Sequence, residues 1–449
     1  LALLALSLSA LIWFAGLQES LSRPSVVNAL DLRQLELGVL ASEALPPSLR
    51  PLLVGDDPRG TLLEALEASS KNPSSPPPAA QRLALTLLKR SREPEAKIAS
   101  NASLVELTPQ VDAPRRPLLL ALEHPADVTP TQQEALLAPW GEQSLVAQLS
   151  CEQLGGAPST CPAGRLGAWL VLRLLALTLL PALLMVAGAV LLIRQLWLLQ
   201  RGRLPNPPPL IGPPLSVVDT TLVIAGGFVL LGEVVLPALS EGSLMRWLAS
   251  LPLPTASRQG VQVLASYLTV MVAPLGLLAL LLPRRQQPPR GGWLQWGWQP
   301  ITAVTGPAFK VLLMVLPLVA FASWLLQLVW TDPGGSNPLL EMVLTSHDGW
   351  ALAALALTAV VFAPLFEETL FRGVLLPVLG RHFGAIAGVG ITALLFALAH
   401  LSLGELVPLT VLGVGLGLLR WQSGRLAASV CLHALWNSLT FVNLLLLAR

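Results

Sequence analysis

The sequence predicts an all-α, polytopic helical membrane protein with about eight core transmembrane helices, an N-terminal anchor helix and a mainly helical extramembrane domain. Three observations predict it. Of 449 residues, 53% are hydrophobic and only 12% charged, whereas a soluble domain carries roughly 25% charged side chains. The apolar residues come in runs, and roughly 20 in helical form suffice to cross a bilayer. Charged, proline and serine residues are instead concentrated in the block 18–164, where acids outnumber bases. The formal charge of +2 makes no electrostatic case for a nucleic-acid partner; the lipid bilayer is the partner that this composition demands.

Taken in order, residues 1–17 (Leu1 to Leu17) read as a transmembrane anchor, with a cleaved signal peptide as the competing reading; no small-x-small cleavage site follows them. Residues 18–164 form the extramembrane domain. Within it, Thr61–Ala68 and Ala79–Arg92 carry apolar residues three and four apart, the spacing of short amphipathic helices. Asn72–Pro78 (NPSSPPP) links them. Cys151 and Cys161 can close a disulfide in an oxidising compartment or remain two free thiols; their spacing fits no common zinc or redox motif.

Residues 165–300 supply accessory spans at about 166–198, 216–240 and 261–283. Between the first two lies Leu204–Leu215 (LPNPPPLIGPPL), too rich in proline to be helical throughout and so a stiff strap. Trp293, Trp296 and Trp298 are placed as an interfacial aromatic belt. Residues 301–449 are expected to hold the chemistry, on spans at about 303–330, 349–380, 384–402, 405–420 and 425–447.

Basic residues orient the chain. Arg201, Arg203, Arg284, Arg285, Arg290, Arg381, Arg420 and Arg425 share one face if the spans alternate, and the acidic loop around Asp332 and Glu341 takes the other, with Glu405. The positive-inside rule then makes this a multi-pass protein of a bacterial plasma membrane or its equivalent, with 18–164 extracytoplasmic.

Ionisable groups inside apolar spans are costly and mark function. Phe366-Glu367-Glu368-Thr369-Leu370-Phe371-Arg372 contains three. Glu368 and Arg372, four apart on a helix, share a face with the acid first, the favourable order; Glu367 is turned about 100° away. Spacing alone leaves open which acid is paired and which is free. His400 ends the next span, and His433 and Asn437 share a face of the last. Counted from the turns at Arg381–Gly384 and Gly424, these groups sit on the order of 14 to 25 Å deep, so one pocket can gather them. Arg173, Glu233 and Lys310 are also charged within apolar runs; no chemistry is assigned to them, and Lys310, near an end, is expected to snorkel.

The ordered blocks E-E-x-x-x-R, F-x-x-x-H and H-x-x-x-N resemble those of the CAAX-processing and bacteriocin-processing intramembrane endopeptidases, the family of the Rce1-type prenyl protease, over roughly 349–447. The resemblance implies that Glu367 is the general base activating a water, assisted by His400, that His433 and Asn437 stabilise the oxyanion, and that Glu368 and Arg372 support them. It implies a peptide or membrane-protein substrate, prenylated or not. No cofactor is favoured. Zinc held by Glu367, His400 and His433 is the alternative, although no H-E-x-x-H helix is present. A catalytically silent scaffold on the same fold and a transporter are the readings from other classes.

Overall fold

The computed structural model describes residues 1–23, 26–71, 77–92, 97–125, 128–157, 160–283, 286–330 and 338–448. Arg284, Arg285, Asp332 and residues 72–76 of the expected linker lie outside them. The regular structure of the described residues is all helical, with no strand. They divide into two compact units, Leu1–Ser25 with Ala182–Leu444, and Val26–Pro181 with Leu445–Arg449.

Among the described residues, eight helices are long and apolar enough to cross a membrane, the first near the N-terminus. In chain order the apolar helices are α1 (Ala2–Ser20), α2 (Gly167–Gln200), α3 (Val217–Ser250), α4 (Thr255–Leu281), α5 (Thr302–Val329), α6 (Gly349–Phe383), α7 (Ala385–Leu398), α8 (Leu403–Ser423) and α9 (Leu426–Leu447). The exception in length is α7. The expected span 384–402 ends after 14 residues, about 21 Å of helix against a hydrocarbon core of about 30 Å. A turn replaces its last residues: His400 and Leu401 bond back to Ala397 and Leu398. Ser402 then caps α8 by accepting the Glu405 N–H at 3.3 Å. The Ser-x-x-Glu signature of a helix start was present in the sequence at 402–405.

Three π-helical stretches widen the bundle at Leu222–Val235, Leu357–Phe362 and Thr369–Leu375. Each ends two residues before a proline, namely Pro237, Pro364 and Pro377. Proline has no N–H and its ring crowds the carbonyl four residues back; the wider turn, pairing i with i−5, relieves that crowding. The apolar core here joins α3, α6, α7, α8 and α9 through Val223, Phe366, Leu370, Phe396, Leu416 and Leu432. Glycine permits close approach: a Cβ on Gly413 of α8 would sit 2.9 Å from Ala393 Cα of α7, the small-residue packing by which membrane helices associate.

Three of the arginines used for orientation are engaged with backbone. Arg381 donates to Pro213 O and Leu215 O at 2.9 and 3.2 Å, and Arg420, fully buried, donates to Ile211 O at 2.9 Å. The proline-rich strap, short of N–H groups of its own, is thereby fastened at its C-terminal end. Arg425 binds Gly297 O and Gln299 O, both at 2.6 Å, anchoring the loop in which Trp296 and Trp298 stack. Lys310 donates to Gln195 Oε1 of α2 at 2.9 Å, and Glu233 accepts from Trp13 Nε1 of α1 at 3.4 Å.

In the other unit the two expected amphipathic segments are helices Pro58–Ser70 and Ala79–Arg92. Leu62, Leu66, Leu83 and Leu87 of these helices are buried with Leu104, Leu118 and Leu149. Asp57 caps the first by accepting the Gly60 N–H at 2.9 Å. Cys151 and Cys161 form a disulfide, and Cys431 is a free thiol.

Candidate active site

Alpha-helical geometry resumes in α6 for six residues, Ala363–Glu368, between its two π-helical stretches, so both acids sit where the helix changes pitch. Such irregular turns concentrate at functional sites. Glu368 and Arg372 are both fully buried. Arg372 Nη1 donates to Glu368 Oε1 at 2.8 Å, and Nη2 reaches Gly413 O on α8 at 3.1 Å. The guanidinium also lies 4.4 Å over the Phe396 ring, so this cation is held by a charge, a carbonyl and a π face, with its Nε left without a partner.

The same Glu368 Oε1 accepts His433 Nδ1 at 2.9 Å. With the ring hydrogen at Nδ1 committed to a carboxylate, the tautomer and tilt of His433 are set. Its other nitrogen, Nε2, faces Glu367 Oε2 at 3.9 Å, beyond a direct hydrogen bond but within reach of a bridging oxygen.

Glu367 is the accessible acid, with 17% of its side chain exposed against none for Glu368. Its Oε1 accepts the hydroxyl of Tyr267, on α4, at 2.9 Å. Its Oε2 has no hydrogen-bond partner. Tyr267 is a site residue that the sequence reading missed. It lies before residue 301, outside the segment expected to hold the chemistry, and its one signal was being the sole tyrosine of the chain, set in an apolar span. Edge contacts from Tyr267 and Phe228 to the Phe366 ring hold the hydroxyl on the acid.

His400 lies in the α7–α8 turn. Its Nδ1 donates to Phe396 O at 2.8 Å, which leaves Nε2 as the free nitrogen. The rings of His400 and His433 pack on the same phenylalanine, with centroids 4.8 and 5.6 Å from that of Phe396. Asn437 is placed differently: its amide donates to Ala359 O at 2.7 Å. The cause is local. The N–H of Ala363 bonds to Thr358 O, the next donor in that pairing is Pro364, and Ala359 O would be orphaned without Asn437. One amide hydrogen of Asn437 therefore serves the fold of α6.

Glu367, Glu368, Arg372 and His433 thus form one hydrogen-bonded or charge-paired cluster, with His400 beside it and Asn437 one helical turn away along α9. Among the described residues no three or more His, Cys, Asp or Glu side chains are gathered closely enough to hold a metal ion. The trio Glu367, His400 and His433 does not fit zinc in this arrangement.

Residues 27–171 match a family described as a domain of unknown function, DUF8675. Residues 349–439 match the family described as type II CAAX prenyl endopeptidase Rce1-like. No curated protein and no solved structure matches the chain. The second match runs from the start of α6 to two residues past Asn437 within α9, and so spans the whole cluster but not Tyr267. The chain is thus a multi-pass helical membrane protein that carries, at residues 349–439, a domain of the type II CAAX prenyl endopeptidase Rce1-like family.

Proposed function

We propose that the protein is an intramembrane endopeptidase in which Glu367 activates a water without a metal. The observation that carries this reading is the division of labour between adjacent acids. Glu368 is fully buried with its Oε1 bound to both Arg372 and His433, while Glu367 has 17% of its side chain exposed and turns its Oε2, a buried atom with no hydrogen-bond partner, toward His433 Nε2.

In this reading a water bound between Glu367 Oε2 and His433 Nε2 gives a proton to Glu367 as its oxygen bonds to the peptide carbonyl carbon. Charge favours that transfer. Two carboxylates and one guanidinium leave the buried cluster with one net negative charge, and protonating Glu367 neutralises it. His400, through its free Nε2, orients the water. The second amide hydrogen of Asn437 is the donor for the tetrahedral oxyanion, a contribution worth about 3 to 4 kcal/mol at a preorganised site; His433, its one ring hydrogen held by Glu368, has none left to donate to it. As the C–N bond breaks, Glu367 returns its proton to the leaving amine. Tyr267 is a positioning residue, holding Oε1 so that Oε2 is the basic atom.

The substrate in this reading is a peptide or membrane protein reached from the bilayer, prenylated or not. The test is cleavage by the full chain in lipid nanodiscs, compared with Glu367→Gln and His400→Ala. Folded but inactive variants support the mechanism; unchanged cleavage in both rejects the site. New termini in membrane proteomes that depend on Glu367 identify the substrate. One tightly bound zinc per active chain, with activity lost to a chelator, would replace the metal-free mechanism by a metal-assisted one.

A further inference from the structure

We propose that α1 is a positioning element of the site, and that Gly16 and Ser20 hold the turn that presents His400. The inference rests on the peptidase reading of that site, and the observations behind it lie outside the matched domain. Leu401, the residue after His400, has φ +49°, the left-handed region that a bulky side chain adopts only when its surroundings over-determine it. Those surroundings are α1. A Cβ on Gly16 would lie 2.9 and 3.2 Å from the two methyl carbons of Leu401, so a larger residue there obliges the Leu401 side chain to shift. One turn on, the fully buried Ser20 accepts the Leu403 N–H with its Oγ at 3.3 Å while donating to Leu17 O at 2.7 Å. Leu403 opens α8, so this bond satisfies a donor that the helix leaves without a partner.

The rest of α1 is fixed to α3. Ser9 donates to Ala225 O at 2.9 Å and Trp13 to Glu233 at 3.4 Å. The helix therefore offers a firm surface on both sides of the strained residue. His400 has its Nδ1 committed to Phe396 O, so the direction of Nε2 follows the backbone of the turn, and the turn follows α1. An N-terminal hydrophobic helix used in this way belongs to the working enzyme.

The experiment uses the full chain in nanodiscs. Gly16→Leu pushes Leu401 out of its seat, and the expected result is a fall in kcat of about 10- to 100-fold, the cost of an ångström-scale misplacement, with KM unchanged and thermal unfolding near that of the parent. Gly16→Leu combined with Leu401→Ala frees the space and restores most of the loss. Indifference to Gly16→Leu, or failure of the second change to rescue it, overturns the proposal. A readout that needs no turnover runs in parallel: carbethoxylation of His400 by diethyl pyrocarbonate, followed by mass spectrometry. Its rate is expected to change severalfold in Gly16→Leu and to return in the double variant. If labelling behaves in this way while the parent cleaves nothing, the peptidase reading fails and the positioning stands. If labelling is unchanged, the positioning fails even in an active parent.

Discussion

Replacing Arg372 by methionine leaves Glu368 in a fully buried position with His433 as its remaining hydrogen-bond donor. Removing one member of a buried ion pair costs about 3 to 5 kcal/mol, because the partner's desolvation is no longer offset. The Gly413 carbonyl loses its side-chain donor as well, adding about 1 kcal/mol. Removing both charges, as in Glu368→Leu with Arg372→Met, should recover most of that loss, since apolar replacements of similar volume are often neutral or stabilising. Chemistry should not recover, because His433 Nδ1 loses the acceptor it holds at 2.9 Å, and removing such an orienting partner costs about 10- to 100-fold where it has been measured at metal-bound histidines. Denaturant unfolding in detergent, followed through the tryptophans, measures the first quantity and peptide cleavage the second. A single variant that loses less than about 1 kcal/mol, or a double variant no more stable than the single, would show that the pair is not the buried unit described.

Tyr267→Phe should lower kcat about 10- to 100-fold at constant KM, the worth of one hydrogen bond to a carboxylate, and steady-state kinetics with an unchanged unfolding midpoint checks this. Asn437→Ala should cost about 1 to 3 kcal/mol by orphaning Ala359 O, and faster amide exchange confined to residues 357–364 would locate the damage. Asp348 caps α6, and its carboxyl is held below the ordinary carboxylate range first by the Ala351 N–H it accepts and then by the Ser257 hydroxyl. A folded-state value below the unfolded one stabilises at pH above the unfolded value of about 3.9 and ceases to do so as pH falls through the folded one. Asp348→Asn should therefore flatten the acid side of the stability profile, and melting curves between about pH 2 and 5 that match the parent's would refute it.

The acid–base spacing at Glu368 and Arg372 was legible because one helix carries both, so local periodicity is the whole geometry. His400 and His433 were legible as polar residues in apolar runs, which have few reasons to exist. The end of α7 was misplaced because hydropathy continues through Leu401 while the Ser402–Glu405 cap, a weaker signal, decides where backbone donors find partners. Tyr267 was not legible at all: its partner is 100 residues away, and neither periodicity nor charge marks a lone phenol. The engagement of Asn437 follows from the missing N–H of Pro364, two steps removed from anything that Asn437 itself displays.

The arginine fastening of the strap has a bearing on how this part of the chain can vary. Arg381 and Arg420 grip main-chain oxygens at Ile211, Pro213 and Leu215, and every amino acid supplies such an oxygen. These bonds recognise the route of the polypeptide, and residue identity matters where the strap packs, as at Gly212 against Pro377 and at the buried Leu215. Substitutions at the exposed Pro205, Asn206, Pro208 and Pro209 that preserve the extended course should be tolerated, whereas exchanging either guanidinium for a single-pronged ammonium would loosen the strap at once.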